Sequence, residues 1–222
     1  MNAPAGRRPV SLPEAARALR DGAAVVLPNP APLTHVVTSR LPYAVNEAKG
    51  RPAGQPVALW AHHPDTVSAL DGIWRLPTGP AAMARRLLAE EHLTVLVPVR
   101  EDADPPGWAA PAVKDGWMLI FGARWAPLRP LLDAHPMLYV SSANRTGHAP
   151  AASTADALAT FPAGVPVLGP PVPEPGAAAR RATTTIRVHA DGHLDHHRPG
   201  AQDQDFPGPR PYLRHLQDTY GP

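Results

Sequence analysis

The sequence predicts a single mixed α/β domain, and three observations carry that reading. Short apolar runs alternate with segments of helical spacing along the chain. One of those runs, Met137 to Val140, empties into the small polar loop Ser141-Ser142-Ala143-Asn144-Arg145-Thr146-Gly147. No internal repeat or second compositional regime interrupts the series, and 222 residues are enough to bury a substantial core.

The elements follow in order. Ser11-Leu12-Pro13-Glu14 is a capping-box pattern opening a helix to about Arg20, with Gly22 as its stop. Strands are expected at 23–27, 35–38, 56–60, 94–99, 117–121, 137–141, 165–168 and 184–188. Helices are expected at 64–70, 80–91, 127–134 and 154–161, the last capped by Ser153 with Asp156 three residues on. The 31 prolines fall largely between these runs and read as stiffened connections. Of the Pro-rich loops, 104–107 is a plain connection, and 169–176 is either a lid beside a site or a stiff surface link. Residues 1–201 form the domain in this reading, and 202–222 form a short Pro/Gly-rich C-terminal tail with one apolar segment near 212–216.

Composition narrows the function classes. The formal net charge is +2 although the pI is 9.3. Both hold because nearly all basic residues are arginines, which keep their protons far above neutral pH. Whole-chain charge is therefore a weak argument for a nucleic-acid partner, and an anion site must rest on local clusters. The absence of cysteine excludes disulfides and thiolate sites and fits a cytoplasmic protein. No apolar run reaches the length of a membrane span, and the first nine residues lack the apolar stretch of a secretory signal.

Three clusters could carry chemistry. In the loop 141–147, Ser142 and Asn144 offer donors and acceptors without bulk, at a strand end where open α/β sheets bind ligands; a polar turn is the plain alternative. Lys49-Gly50-Arg51-Pro52 and Arg198-Pro199-Gly200 supply a point charge and two planar forks suited to phosphate, or else solvated cations in loops. His62-His63 and the group His193, His196 and His197 lack a standard metal-ligand spacing, and a strand would put His196 and His197 on opposite faces. P-loop, G-x-G-x-x-G and G-x-S-x-G patterns are all missing.

In their order, these clusters resemble the YrdC/Sua5 family, whose members make threonylcarbamoyl-adenylate for tRNA modification. The family pattern K-x-R-P, S-A-N-x-S/T-G, S-T-I/V and L-R-P-G stands here as Lys49-Gly50-Arg51-Pro52, Ser142-Ala143-Asn144-Arg145-Thr146-Gly147, Thr184-Thr185-Ile186 and His197-Arg198-Pro199-Gly200. The match runs from about Gly22 to Ala201. The resemblance implies one domain with a twisted mixed sheet, helices on its faces and an open basic cavity. It also implies ATP and Mg2+, with Lys49 and Arg51 in catalysis and Ser142, Asn144, Thr184 and Arg198 joining them in holding the nucleotide. Weak binding to double-stranded RNA through phosphates is a further implication.

The departures are concentrated on one side. The family's P-T-E/D-T-x-Y-G loop, which helps hold the amino-acid substrate, is replaced by Pro28-Asn29-Pro30-Ala31-Pro32-Leu33-Thr34. Trp60 aligns with the family's histidine, and its R-V/I-P motif falls near Phe121-Gly122-Ala123, leaving Arg124 as a stand-in. Of the family's P-G-P-L-T-L segment only Leu93-Thr94 remains. Asn29, Trp60, Phe121 and Arg124 are thus expected to line a rewritten acceptor pocket. Two functions fit this pattern. One is an enzyme that forms an adenylate on a small carbamate, carbamoyl or carboxylate substrate other than that of threonine; the other is a non-catalytic nucleotide- or RNA-binding paralogue.

Overall fold

A computed structural model describes residues 7–70, 72–172 and 179–221. Among these the elements are α1 (Leu12–Arg20), β1 (Val25–Leu27), β2 (Val36–Ser39), α2 (Pro42–Ala48), β3 (Ala58–Trp60), α3 (Pro64–Ser68), α4 (Thr78–Ala89) and β4 (Thr94–Pro98). They continue with β5 (Val113–Lys114), β6 (Trp117–Phe121), α5 (Arg129–Asp133), β7 (Tyr139–Ser142), α6 (Thr154–Thr160), β8 (Thr185–Val188), β9 (Leu194–Arg198) and α7 (Pro209–Tyr220). The fold is α/β, as the sequence predicts. Both expected caps form: the Glu14 carboxylate accepts from the Ser11 backbone N–H at 2.7 Å, and Ser153 and Asp156 bond reciprocally at 3.0 and 3.1 Å.

The strands make one mixed sheet in the order β1-β2-β7-β3-β6-β4-β8-β9, with β5 added on β6. Only β3–β6 and β4–β8 pair in parallel; the others are antiparallel. The expected strand at 165–168 is reduced to two isolated bridges, to Val10 and Val26. Residues 173–178 of the Pro-rich loop lie outside the described residues.

Side chains alternate between the two faces. One face, with Val37, Leu59, Val95, Val97, Met118, Ile120, Ile186 and Val188, forms the main core with Met83, Leu87 and Leu88 of α4. Residues 202–222, expected as a tail, contain α7, and its Tyr212, Leu216 and Tyr220 are buried in that same core. Both tyrosine hydroxyls donate to Glu91, at 3.2 and 3.0 Å. On the opposite face, α1 and α5 cover only the β1 side, where Leu19, Leu131 and Leu132 pack with Val25, Leu27 and Trp60. The rest of that face is open.

Candidate functional site

The open face is the floor of a cavity of about 640 Å³. Strand register decides which side chains reach it. Ala58 pairs with Val140, Leu96 with Leu119 and Arg187, and Thr94 with Phe121 and Thr185, so all of these share one face and line the cavity. Lys49, Arg51, Lys114, Arg187 and Arg198 also border it, against a single carboxylate, Asp115, among the described lining residues.

Lys49 caps the C-terminus of α2, and Gly50 turns the chain there with φ +66°, a left-handed conformation glycine adopts without strain. The turn brings Arg51 back onto the helix, where its backbone N–H donates to Asn46 O at 3.0 Å. The buried Asn46 side chain accepts from Arg51 Nε at 2.5 Å and donates to the carbonyls of Ala53 and Gln55. Arg51 Nη2 is buried with no partner, a donor facing the cavity region unused.

Lys49 Nζ reaches across to the 141–147 loop and donates to Ser142 O and, at 2.7 Å, to Asn144 Oδ1. Asn144 Oδ1 also accepts from Ser142 Oγ at 2.7 Å, and its Nδ2 donates to His148 O at 2.7 Å. Asn144 therefore spends its whole side chain joining two loops. Burial, then Arg51 and Arg198, push the Lys49 amine down to about 7. Among the described residues no carboxylate bonds it; the acceptors it meets there, Ser142 O and Asn144 Oδ1, are both neutral.

Arg198 enters from β9, and its Nη2 donates to Thr183 O at 3.2 Å. The turn behind it is tight: a Cβ on Gly200 would lie 2.2 Å from Thr184 N and 2.4 Å from Thr183 C. Asp203 fastens that turn to β8 by accepting from Gly200 N–H at 2.8 Å, Thr184 Oγ1 at 3.1 Å and His196 at 2.5 Å.

Of the residues expected for the nucleotide, Lys49, Arg51, Ser142, Asn144 and Arg198 line the one cavity. Thr184 does not. It is fully buried with its hydroxyl on Asp203, and alternation gives its neighbours Thr183 and Thr185 to the cavity instead. On the acceptor side, Asn29 and Phe121 line the cavity, whereas Trp60 and Arg124 do not. Trp60 is on the same sheet face as Phe121 but fully buried where α1 and α5 cover it, with Nε1–H on Ala123 O at 2.8 Å, and Arg124 donates to Ala61 O at 3.0 Å. Asn29 is held by Nδ2 donating to Thr34 O at 2.9 Å; this fixes the amide's orientation and leaves its buried Oδ1 without a partner.

Trp117, Arg187, Lys114 and Thr183 are lining residues that sequence reasoning missed. Alternation through Thr183, Thr185 and Arg187 was the available signal, as was the Asp115-Gly116 hairpin turn before Trp117. Of the histidine group, His193 bonds Asp195, which His189 also meets, and His196 bonds Asp203; among the described residues no set of three His, Cys, Asp or Glu is placed to hold a metal. Among the described residues no helix is long and apolar enough to cross a membrane.

Solved structures share this mixed α/β fold. L-threonine-bound Sua5 from P. abyssi matches with a TM-score of 0.59 and 17% identity, over 80% of this chain and 50% of that one. Full-length HypF in its phosphate- and nucleotide-bound form matches with a TM-score of 0.64 and 16% identity, over 89% of this chain and 30% of that one. E. coli YciO gives 0.60 and 13%, over 85% and 88% of the two chains. The chain thus spans half the length of the Sua5 it matches. No protein-family model and no curated sequence matches it. The chain has the YrdC/Sua5 fold, at a sequence divergence that sets it well apart from these three.

Proposed function

We propose that the cavity binds ATP and transfers its adenylyl group to an oxygen of a small carbamate, carbamoyl or carboxylate substrate. The attacking oxygen bonds to the α-phosphorus, the bond from that phosphorus to the bridging oxygen breaks, and pyrophosphate leaves with the electron pair. The convergence of Lys49, Arg51 and Arg198 on one cavity, where no carboxylate of the described residues bonds Lys49, carries the reading. Such groups stabilise charge that grows on the departing phosphates. Lys49 supplies a point charge held by Asn144, and Arg51 an unused buried donor. Mg2+ would offset phosphate charge from the nucleotide's own oxygens, since the cavity offers it one carboxylate. Positioning and electrostatics therefore do the work.

The acceptor end favours a substrate other than L-threonine. Leu33, Val36, Ala58, Phe121 and Val140 make it apolar, and Asn29 and Thr34 are its polar groups. Calorimetric titration of Lys49→Ala, Arg51→Ala and Arg198→Ala with ATP–Mg tests the cradle, each variant losing about 5- to 150-fold in affinity. Unchanged affinity in all three removes it. Pyrophosphate release should be slight with L-threonine and bicarbonate, and robust with another acceptor. Vigorous threonine-dependent release would restore the ordinary family reaction, and tight ATP binding without release on any acceptor would favour the non-catalytic paralogue.

A further inference from the structure

At the β5–β6 end of the cavity the floor changes from aliphatic to planar. Trp117 and Arg187 both line it, and the Arg187 guanidinium carbon lies 4.5 Å from the indole ring centroid. The edge of the same indole is fixed by His189, with ring centroids 5.3 Å apart at 75°. Arg187 Nε is buried without a partner, so the guanidinium keeps an unused donor beside the stack. Two strands supply these groups in register: Leu96 pairs with Leu119 on one side and Arg187 on the other, two residues along β6 from Trp117. The turn Asp115-Gly116, with φ of +50° and +76°, delivers Trp117 to the floor.

A rigid indole layered with a guanidinium inside an anion-binding cavity is what a nucleobase recognises. Every base offers a flat π-face, and both indole and guanidinium planes stack on it. We propose that Trp117 and Arg187 form the nucleobase platform of this cavity, so that the phosphates of the same ligand extend toward Lys49 and Arg51. This rests on the nucleotide reading given above but adds its orientation and two contact residues. Neither the K-x-R-P nor the S-A-N-x-S/T-G cluster touches the base in this arrangement.

Titrations with ATP–Mg, tripolyphosphate–Mg and adenosine separate the two parts. Trp117→Leu should weaken ATP and adenosine by about fivefold or more, the scale of one base–aromatic stack, and leave tripolyphosphate unchanged. Trp117→Phe keeps a ring and should recover most of the loss; thermal melts of both variants confirm folding. Equal ATP and adenosine affinities in wild type and Trp117→Leu overturn the platform, as does failure of wild type to bind either ligand. Failure to bind tripolyphosphate strikes the phosphate cradle instead, and Trp117-dependent adenosine binding would then still support the platform.

Discussion

Lys49 gives the sharpest test, because its charge state in the empty cavity differs from that beside a polyphosphate. Its amine sits at about 7 in the free protein against 10.5 ordinarily, so protonating it there costs roughly 5 kcal/mol more than in water. Phosphate oxygens at the cavity oppose that shift with an attraction for the charged form and return the amine toward its ordinary value. Nucleotide binding must then draw a proton from solution. At pH 8 the free amine is about nine-tenths neutral and uptake approaches one proton per ATP; at pH 6 it is about one-tenth neutral and uptake nearly vanishes. The sign follows: affinity is highest below pH 7 and falls by up to about tenfold per unit as pH rises above it. Calorimetry of ATP–Mg in buffers of different ionisation enthalpy measures the uptake directly. Lys49→Met should abolish it and flatten the pH profile. Uptake near zero at pH 8, or equal uptake in wild type and variant, would refute the reasoning.

Two further outcomes follow from the fold. His62 is buried with neither ring nitrogen bonded, and burial first, then neighbouring His63 and Arg124, hold it down to about 4. Its neutral form is favoured in the folded state, so the stability it carries is complete above about pH 6.5 and is lost as pH falls toward 4, by roughly 3 kcal/mol. Urea unfolding at pH 7 and pH 4.5 should show that loss in wild type and much less of it in His62→Phe; parallel profiles would remove His62 as the cause. Gly200→Ala forces a methyl against the backbone of Ala182, Thr183 and Thr184, and should cost about 1–3 kcal/mol in urea unfolding while displacing Arg198 and weakening ATP. Wild-type stability and affinity in that variant would show that the turn has room to move.

Much of the sheet was legible because its strands are short apolar runs bounded by turn residues. The 117–121 strand falls where periodicity put it, and the 12–20 helix follows its capping box. α7 was hidden by proline and glycine at its start, although Pro209 and Pro211 sit in the first turn, where a missing N–H costs nothing. β9 was hidden because Leu194 to Arg198 is mostly polar and half exposed, so no apolar alternation marks it. The candidate site shows the same division. Loop clusters such as Lys49 with Asn144 were singled out by residue type together with the order of the motifs, and the structure brings these two side chains together at 2.7 Å. Which member of Thr183-Thr184-Thr185 faces the cavity depends on register with β4, and a one-residue shift exchanges the faces. Trp60 was misplaced for a different reason: it shares the face of Phe121, its register partner, with ring centroids 5.4 Å apart, but lies where α1 and α5 cover that face.

The cations of this cavity face one another with hardly any acid among them, and that asymmetry has a chemical consequence. An empty pocket with unspent positive potential takes whatever anion is abundant, so charge by itself selects nothing. Inorganic phosphate, pyrophosphate and citrate all present anionic oxygens that such donors can bond. In the adenylyl transfer proposed above, the leaving group would itself compete for the pocket, and turnover would depend on a second activity that hydrolyses pyrophosphate. Choice among the anions that arrive falls to the floor, where Leu119 and Phe121 give shape and Trp117 offers a flat face for stacking.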